Sequence, residues 1–111
     1  MIIEAYLVNY LSSKLSLPVY AEEPEKPPIC YALIEKLGSS NDNYIINETV
    51  AIQSYGASKL EAARLNELVK EKMSELIAEP EISRCKLNSD YPFNDTAAKR
   101  YRYQAVYDIT Y

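Results

Sequence analysis

The chain has 111 residues, no histidine, two cysteines, two glycines and a net charge of −4. Without histidine it lacks the commonest acid–base group at neutral pH and the commonest transition-metal ligand, and two cysteines alone cannot complete a structural zinc site. An acidic balance argues against gripping nucleic acid by phosphate neutralisation, and two glycines cannot build a glycine-rich phosphate cradle.

Apolar and charged content are ordinary for a globular protein, and one domain spanning residues 1–111 is expected. Ile2 to Leu15 reads as an amphipathic helix, with Ile3, Tyr6, Leu7, Tyr10 and Leu11 on one side and Pro18 closing the segment. Val19 to Glu22 is a short candidate strand. The prolines at 24, 27 and 28 then make a stiff, exposed connector. Ile29 to Leu37 is aliphatic on both faces, as for a central strand covered on both sides.

Gly38 to Asn43 is a cluster of turn formers, so the spacing predicts a hairpin with a small projecting tip that includes Asn41 and Asp42. Tyr44 to Tyr55 is the returning strand, with Tyr44, Ile46, Val50 and Ile52 on one face. Ser58-Lys59-Leu60-Glu61 is a capping box that opens a helix running to about Ala78, with Ala62, Leu65, Val69, Met73 and Leu76 inward. Ile82 to Leu87 is a short strand, and Asn88 to Ala98 is a polar loop.

From Arg100 to Tyr111 the residues alternate. Tyr101, Tyr103, Ala105, Tyr107, Ile109 and Tyr111 fall on one face, and Arg100, Arg102, Gln104, Asp108 and Thr110 on the other, which is the period of a strand. Its tyrosine face suits a core or a surface closed by another subunit. The expected fold is α+β, a two-layer sandwich: a mostly antiparallel β-sheet with two helices packed on one face, in the order α-β-β-β-α-β-β.

The two cysteines, Cys30 and Cys85, read as small buried residues on strands. No leader and no apolar run long enough to cross a bilayer is visible, so a cytosolic, membrane-free protein is expected. No nucleotide-binding, nucleophile-elbow or zinc-protease motif occurs, and neither enzymatic activity nor a cofactor or metal is expected.

Glu67, Glu71, Glu75 and Glu79 recur every four residues on the second helix. They form either a solvated face or an acidic wall that repels DNA or meets a basic partner. Lys99, Arg100 and Arg102 form a small basic cluster suited to ion pairs, a subunit rim or an anion site. Tyr91-Pro92-Phe93 either packs back on the domain or docks into a neighbour. Asp90 and Asp95 are weak candidates for a hard cation.

The whole layout resembles the small tail-terminator (tail-completion) and head–tail joining proteins of long-tailed bacteriophages. The resemblance runs through Tyr6-Leu7-Val8-Asn9-Tyr10-Leu11, Pro18-Val19-Tyr20, Glu23-Pro24-Glu25-Lys26-Pro27-Pro28 and Tyr31-Ala32-Leu33-Ile34-Glu35-Lys36. It continues through Gly38-Ser39-Ser40, Val50-Ala51-Ile52-Gln53-Ser54-Tyr55-Gly56, Ala57-Ser58-Lys59 with Ala62, and Arg100-Tyr101-Arg102-Tyr103-Gln104-Ala105. It implies a ring of identical subunits, usually six, that caps the tail tube and meets the head connector. The partners would be itself, the tube protein and connector proteins, with DNA only passing through. No cofactor, small molecule or catalysis is implied, and the place would be the host cytoplasm and then the head–tail junction of the virion. Interface residues are placed at Tyr91, Pro92, Phe93, Arg100 and Arg102 on one side and at the tip with Asn41 and Asp42 on the other. The alternative is a small α+β ligand-binding module or enzyme with an anion site near the last strand.

Overall fold

Helical and two-residue periodicities sort the described residues into two α-helices and five strands. The computed structural model describes residues 1–94, 96–97 and 100–111. Asp95 and Lys99, a candidate cation ligand and the third member of the basic cluster, lie outside them. Helix α1 spans Ile3–Lys14, strand β1 Val19–Tyr20, β2 Tyr31–Asp42 and β3 Ile45–Gly56. Helix α2 spans Lys59–Ser74 and is followed by a 3-10 turn at Leu76–Ala78. Strand β4 spans Arg84–Pro92 and β5 Tyr101–Thr110.

The strands form one sheet in the order β1-β2-β3-β5-β4. Only β1 and β2 are parallel; every other neighbouring pair is antiparallel. The fold is α+β, with both helices over the same face of the sheet. Ile3, Leu7, Tyr10 and Leu11 of α1 and Leu65, Val69 and Met73 of α2 pack there. They meet Ala32 and Ile34, Val50 and Ile52, and Ala105, Tyr107 and Ile109 from the three central strands. Each fully buried aliphatic side chain in that layer contributes about 1.5–3 kcal/mol relative to exposure.

Helix α2 starts as its capping box dictates. The Ser58 side chain accepts from the Glu61 N–H at 3.2 Å, while the Glu61 carboxylate accepts from Ala57 N–H, one residue earlier than the usual partner. The helix ends at Ser74 rather than Ala78, because the backbone tightens to the 3-10 turn before Pro80. Leu76 stays buried, so the apolar stripe outlasts the α-helix.

Three predicted segments differ in kind. Gly38 to Asp42 is strand, not turn: β2 continues to Asp42 across an irregularity between Lys36 and Gly38. The actual turn is Asn43-Tyr44, both with positive φ (50 and 66°), as the two-residue type I′ hairpin requires. Small polar residues read as loop when they are the solvated end of a hairpin arm. Asn88 to Pro92 is likewise strand, part of β4 after a bulge between Leu87 and Ser89. Its polar residues suit an edge strand, and a proline is tolerated there because one side of the ladder is unpaired. Finally, β2 is covered on both faces only at its start, where Tyr31 and Ala32 are both buried; farther along, Ile34 is buried, whereas Glu35 and Leu37 are exposed.

Tyr44 fills a position where glycine is favoured, since a bulky side chain in the left-handed region costs about 1–2 kcal/mol. Tyr44→Gly is therefore expected to stabilise the monomer by about 1 kcal/mol and raise its Tm by about 4 °C. A thermal melt that shows no rise contradicts the assigned turn.

Candidate functional site

The face of the sheet turned away from the helices is the surface on which the sequence-predicted residues gather. Register places Tyr31, Tyr55 and Arg102 side by side across β2, β3 and β5. Leu33, Gln53, Gln104 and Tyr91 make the next row. Residues directly opposed in a sheet share a face, so these rows bring together side chains from distant parts of the chain.

The first row is a stack. The Tyr31 and Tyr55 rings lie 4.4 Å apart and 6° from parallel, and Tyr20 meets Tyr31 edge-on at 5.8 Å. The Arg100 guanidinium sits 4.8 Å from the Tyr55 ring centroid, and that of Arg102 sits 4.4 Å from the Phe93 ring. Tyr31 and Tyr55 are almost fully buried although no helix covers them. Planar guanidinium groups lying on aromatic faces exclude the water.

Hydrogen bonds knit the rows together. Arg100 Nη1 donates to the Tyr31 hydroxyl at 2.7 Å and to the Glu23 carboxylate; the Tyr31 hydroxyl donates to that same carboxylate at 2.6 Å. Arg102 donates to the Phe93 carbonyl at 2.6 Å and to the Tyr55 hydroxyl at 2.8 Å. Tyr55 donates to Gln53, Gln53 to Gln104 at 2.9 Å, and Gln104 to the Tyr91 hydroxyl at 2.6 Å. The Tyr31, Tyr55, Gln53 and Gln104 side chains thus have partners within this face, which fixes their positions.

Tyr91, Phe93, Arg100 and Arg102 therefore form one cluster, with Pro92 opposite Tyr103 on the edge strand. Tyr91-Pro92-Phe93 packs back on its own domain through Arg102 and Gln104, while keeping partly exposed rings. Asn41 and Asp42 lie elsewhere, exposed near the hairpin tip. The tyrosine face of β5 is largely interior: Tyr107 is in the core and Tyr103 half-buried, with only Tyr101 exposed.

The acidic ridge is not a bare wall. Glu67 and Glu71 are exposed on α2 but lie near cations: Lys70 bridges Glu67 at 2.7 Å, and Lys72 is 3.8 Å from Glu71. Glu75 is the C-cap of α2 and Glu79 follows the 3-10 turn, so the four-residue spacing is lost there. Lys70 also bonds Asp90, which accepts from Asn66 as well, and Asp90 thus belongs to a helix–strand tie. Among the described residues, no group of three or more Cys, Asp or Glu is placed to hold a metal ion. Cys30 and Cys85 are half-buried and unpaired; Cys30 precedes β2, and Cys85 lies on β4.

Farther along the same face, Asn47, Thr49, Arg84, Lys86, Asp108 and Thr110 line an open polar groove of about 510 Å³. Asp108 accepts there from Thr49 at 3.0 Å and from Asn88 at 2.9 Å. The groove is a trough across the strands, with charges spread along it instead of converging on one point.

No family model matches the chain, and no curated protein matches it.

Sequence reading missed Glu23, Tyr31, Tyr55, Gln53 and Gln104 as members of this cluster. The shared parity of Gln53 with Tyr55, and of Arg102 with Gln104, was the available signal. Glu23 sits in the connector, and nothing local tied it to Arg100.

Several hydroxyls are held protonated. Burial, then the hydrogen bond to Glu23, pushes Tyr31 above the usual tyrosine range, and burial does the same to Tyr107. Burial followed by carboxylate hydrogen bonds raises Tyr6 and Tyr111 to about 12, and burial raises Cys85 to about 11. Below the ordinary values of 10.0 for tyrosine and 9.0 for cysteine, both folded and unfolded chains keep these protons. Above them the unfolded chain ionises first, so stability falls as pH climbs toward the folded-state values. The melting temperature is expected to hold up to about pH 9 and to drop steeply between about pH 10 and 12. The tyrosinate absorbance of Tyr6, Tyr31, Tyr107 and Tyr111 should appear together with unfolding; ionisation of these four in the folded chain at about pH 10 would contradict this.

Proposed function

We propose that this chain is a structural subunit of a bacteriophage or prophage virion, a tail terminator or head–tail joining protein. Copies close into a ring, six being the usual number for proteins it resembles, at the junction of tail tube and head connector. The observation that carries this reading is the uncovered sheet face. Among the described residues its aromatic, arginine and glutamine side chains bond one another into a fixed surface, with their donors directed at one another. A preorganised surface of that kind is suited to docking against protein.

The mechanism is geometric. One face of the ring matches the docking surface of the tube's last subunits, and the other face does not, so addition halts. The net charge of −4 lets DNA pass without being gripped. No catalysis, cofactor or membrane enters this role, and assembly takes place in the host cytoplasm before the ring rests at the virion junction. The anion-site reading is weaker because Arg100 and Arg102 direct donors to Glu23, Tyr31, Tyr55 and the Phe93 carbonyl.

Co-expression with a phage tail tube protein taken from the same genome tests the role. Electron micrographs should show rings seated on tube ends and tubes of limited length. Tubes that grow without limit and carry no added density at their ends would refute the terminator role.

A further inference from the structure

Tyr44 is 98% exposed, more than any other large apolar or aromatic side chain described, and it sits at the hairpin tip in a conformation that disfavours bulky residues. Its ring has no role in the fold. Ile45, next to it at the tip, is about half exposed. A strained, outward-pointing aromatic with the apolar Ile45 beside it suggests a contact made outside the subunit.

At the opposite end of β3 lies an apolar groove of about 290 Å³. Leu17, Cys30, Tyr55, Leu65 and Leu68 line it, together with Arg64. It has room for one phenol ring. Glu61, the other charged residue there, is turned to the Ala57 N–H at the start of α2. Arg64 and, on the tip, Asp42 are both exposed to solvent at least in part, and among the described residues neither forms an ion pair.

Tip and groove are separated by the length of β3, about 35–40 Å for twelve residues, in a molecule 43 Å long. A subunit cannot fill its own groove with its own tip, whereas another copy can. We infer that Tyr44 of one copy docks into this groove of a second copy, with Asp42 facing Arg64. This specifies the contact in the ring reading and rests on it. The two patches differ, so the contact is heterologous and repeats head to tail, as a closed ring requires.

Sedimentation of the full chain over a concentration series tests the contact. The unaltered chain should self-associate, and Tyr44→Gly should shift the midpoint at least tenfold to higher concentration while melting no lower. Tyr44→Phe should associate like the unaltered chain. Reversing one charge, Asp42→Arg or Arg64→Asp, should weaken association, and combining the two should restore it. Tyr44→Cys should give a disulfide-linked ladder on mild oxidation that Cys30→Ser removes and Cys85→Ser leaves. If the unaltered chain and Tyr44→Gly associate equally, the contact lies elsewhere, so this docking falls while the ring reading stands. If the unaltered chain stays monomeric throughout, both fall.

Discussion

Replacing Tyr55 with alanine is expected to cost about 3–5 kcal/mol, the range for deleting a buried aromatic ring. The loss is larger than one side chain's area implies, because Tyr55 is the centre of the stack. It carries Tyr31 on one face and lies beside the guanidinium groups of Arg100 and Arg102. Its hydroxyl accepts from Arg102 and donates to Gln53. Tyr55→Phe keeps the ring and removes only those bonds, so its cost should be about 1–2 kcal/mol. Urea titration separates the two, with the alanine variant consuming a large part of the roughly 5–15 kcal/mol typical of a domain. A loss under about 1 kcal/mol for Tyr55→Ala would mean that the cluster does not hold the uncovered face together.

Gly56→Val is the second large effect, at about 3 kcal/mol, with Gly56→Ala at about 2 kcal/mol. The cause is space. A Cβ at position 56 would stand 2.5 Å from the Ala62 nitrogen and 2.9 Å from the Glu61 carbonyl carbon. Both are backbone atoms in the first turn of α2, which cannot swing aside as a side chain tip can. The helix must move off the sheet and loosen Leu65 and Val69, both buried. Gly38 supplies the control, because nothing lies within 4 Å of a Cβ there and Gly38→Ala should be near neutral. Equal stability of Gly56→Ala and Gly38→Ala would contradict the close approach of helix and strand.

Elements with a strong period were legible in the sequence. The apolar stripe of α2 and the alternation of β3 and β5 place Val69, Met73, Val50, Ile52, Tyr107 and Ile109 in the core, as the structure has them. Segments without a core face were not legible. Gly38 to Asp42 and Asn88 to Pro92 carry turn-forming and polar residues, yet pairing with a partner strand holds them extended. Of the site, Arg102 and Tyr91 were identifiable, but their link through Gln104 and Tyr55 depends on the register between β3 and β5, which no local pattern encodes. The Arg100–Glu23 contact spans most of the chain and depends on how the proline connector folds back.

If the chain acts as proposed, by closing into a ring through fixed surfaces, assembly should follow when its own concentration is raised. Electron microscopy of the purified full chain across a concentration series tests this most directly. Closed particles of one uniform subunit number with a central opening are the predicted result. A chain that stays single at every concentration would contradict the account.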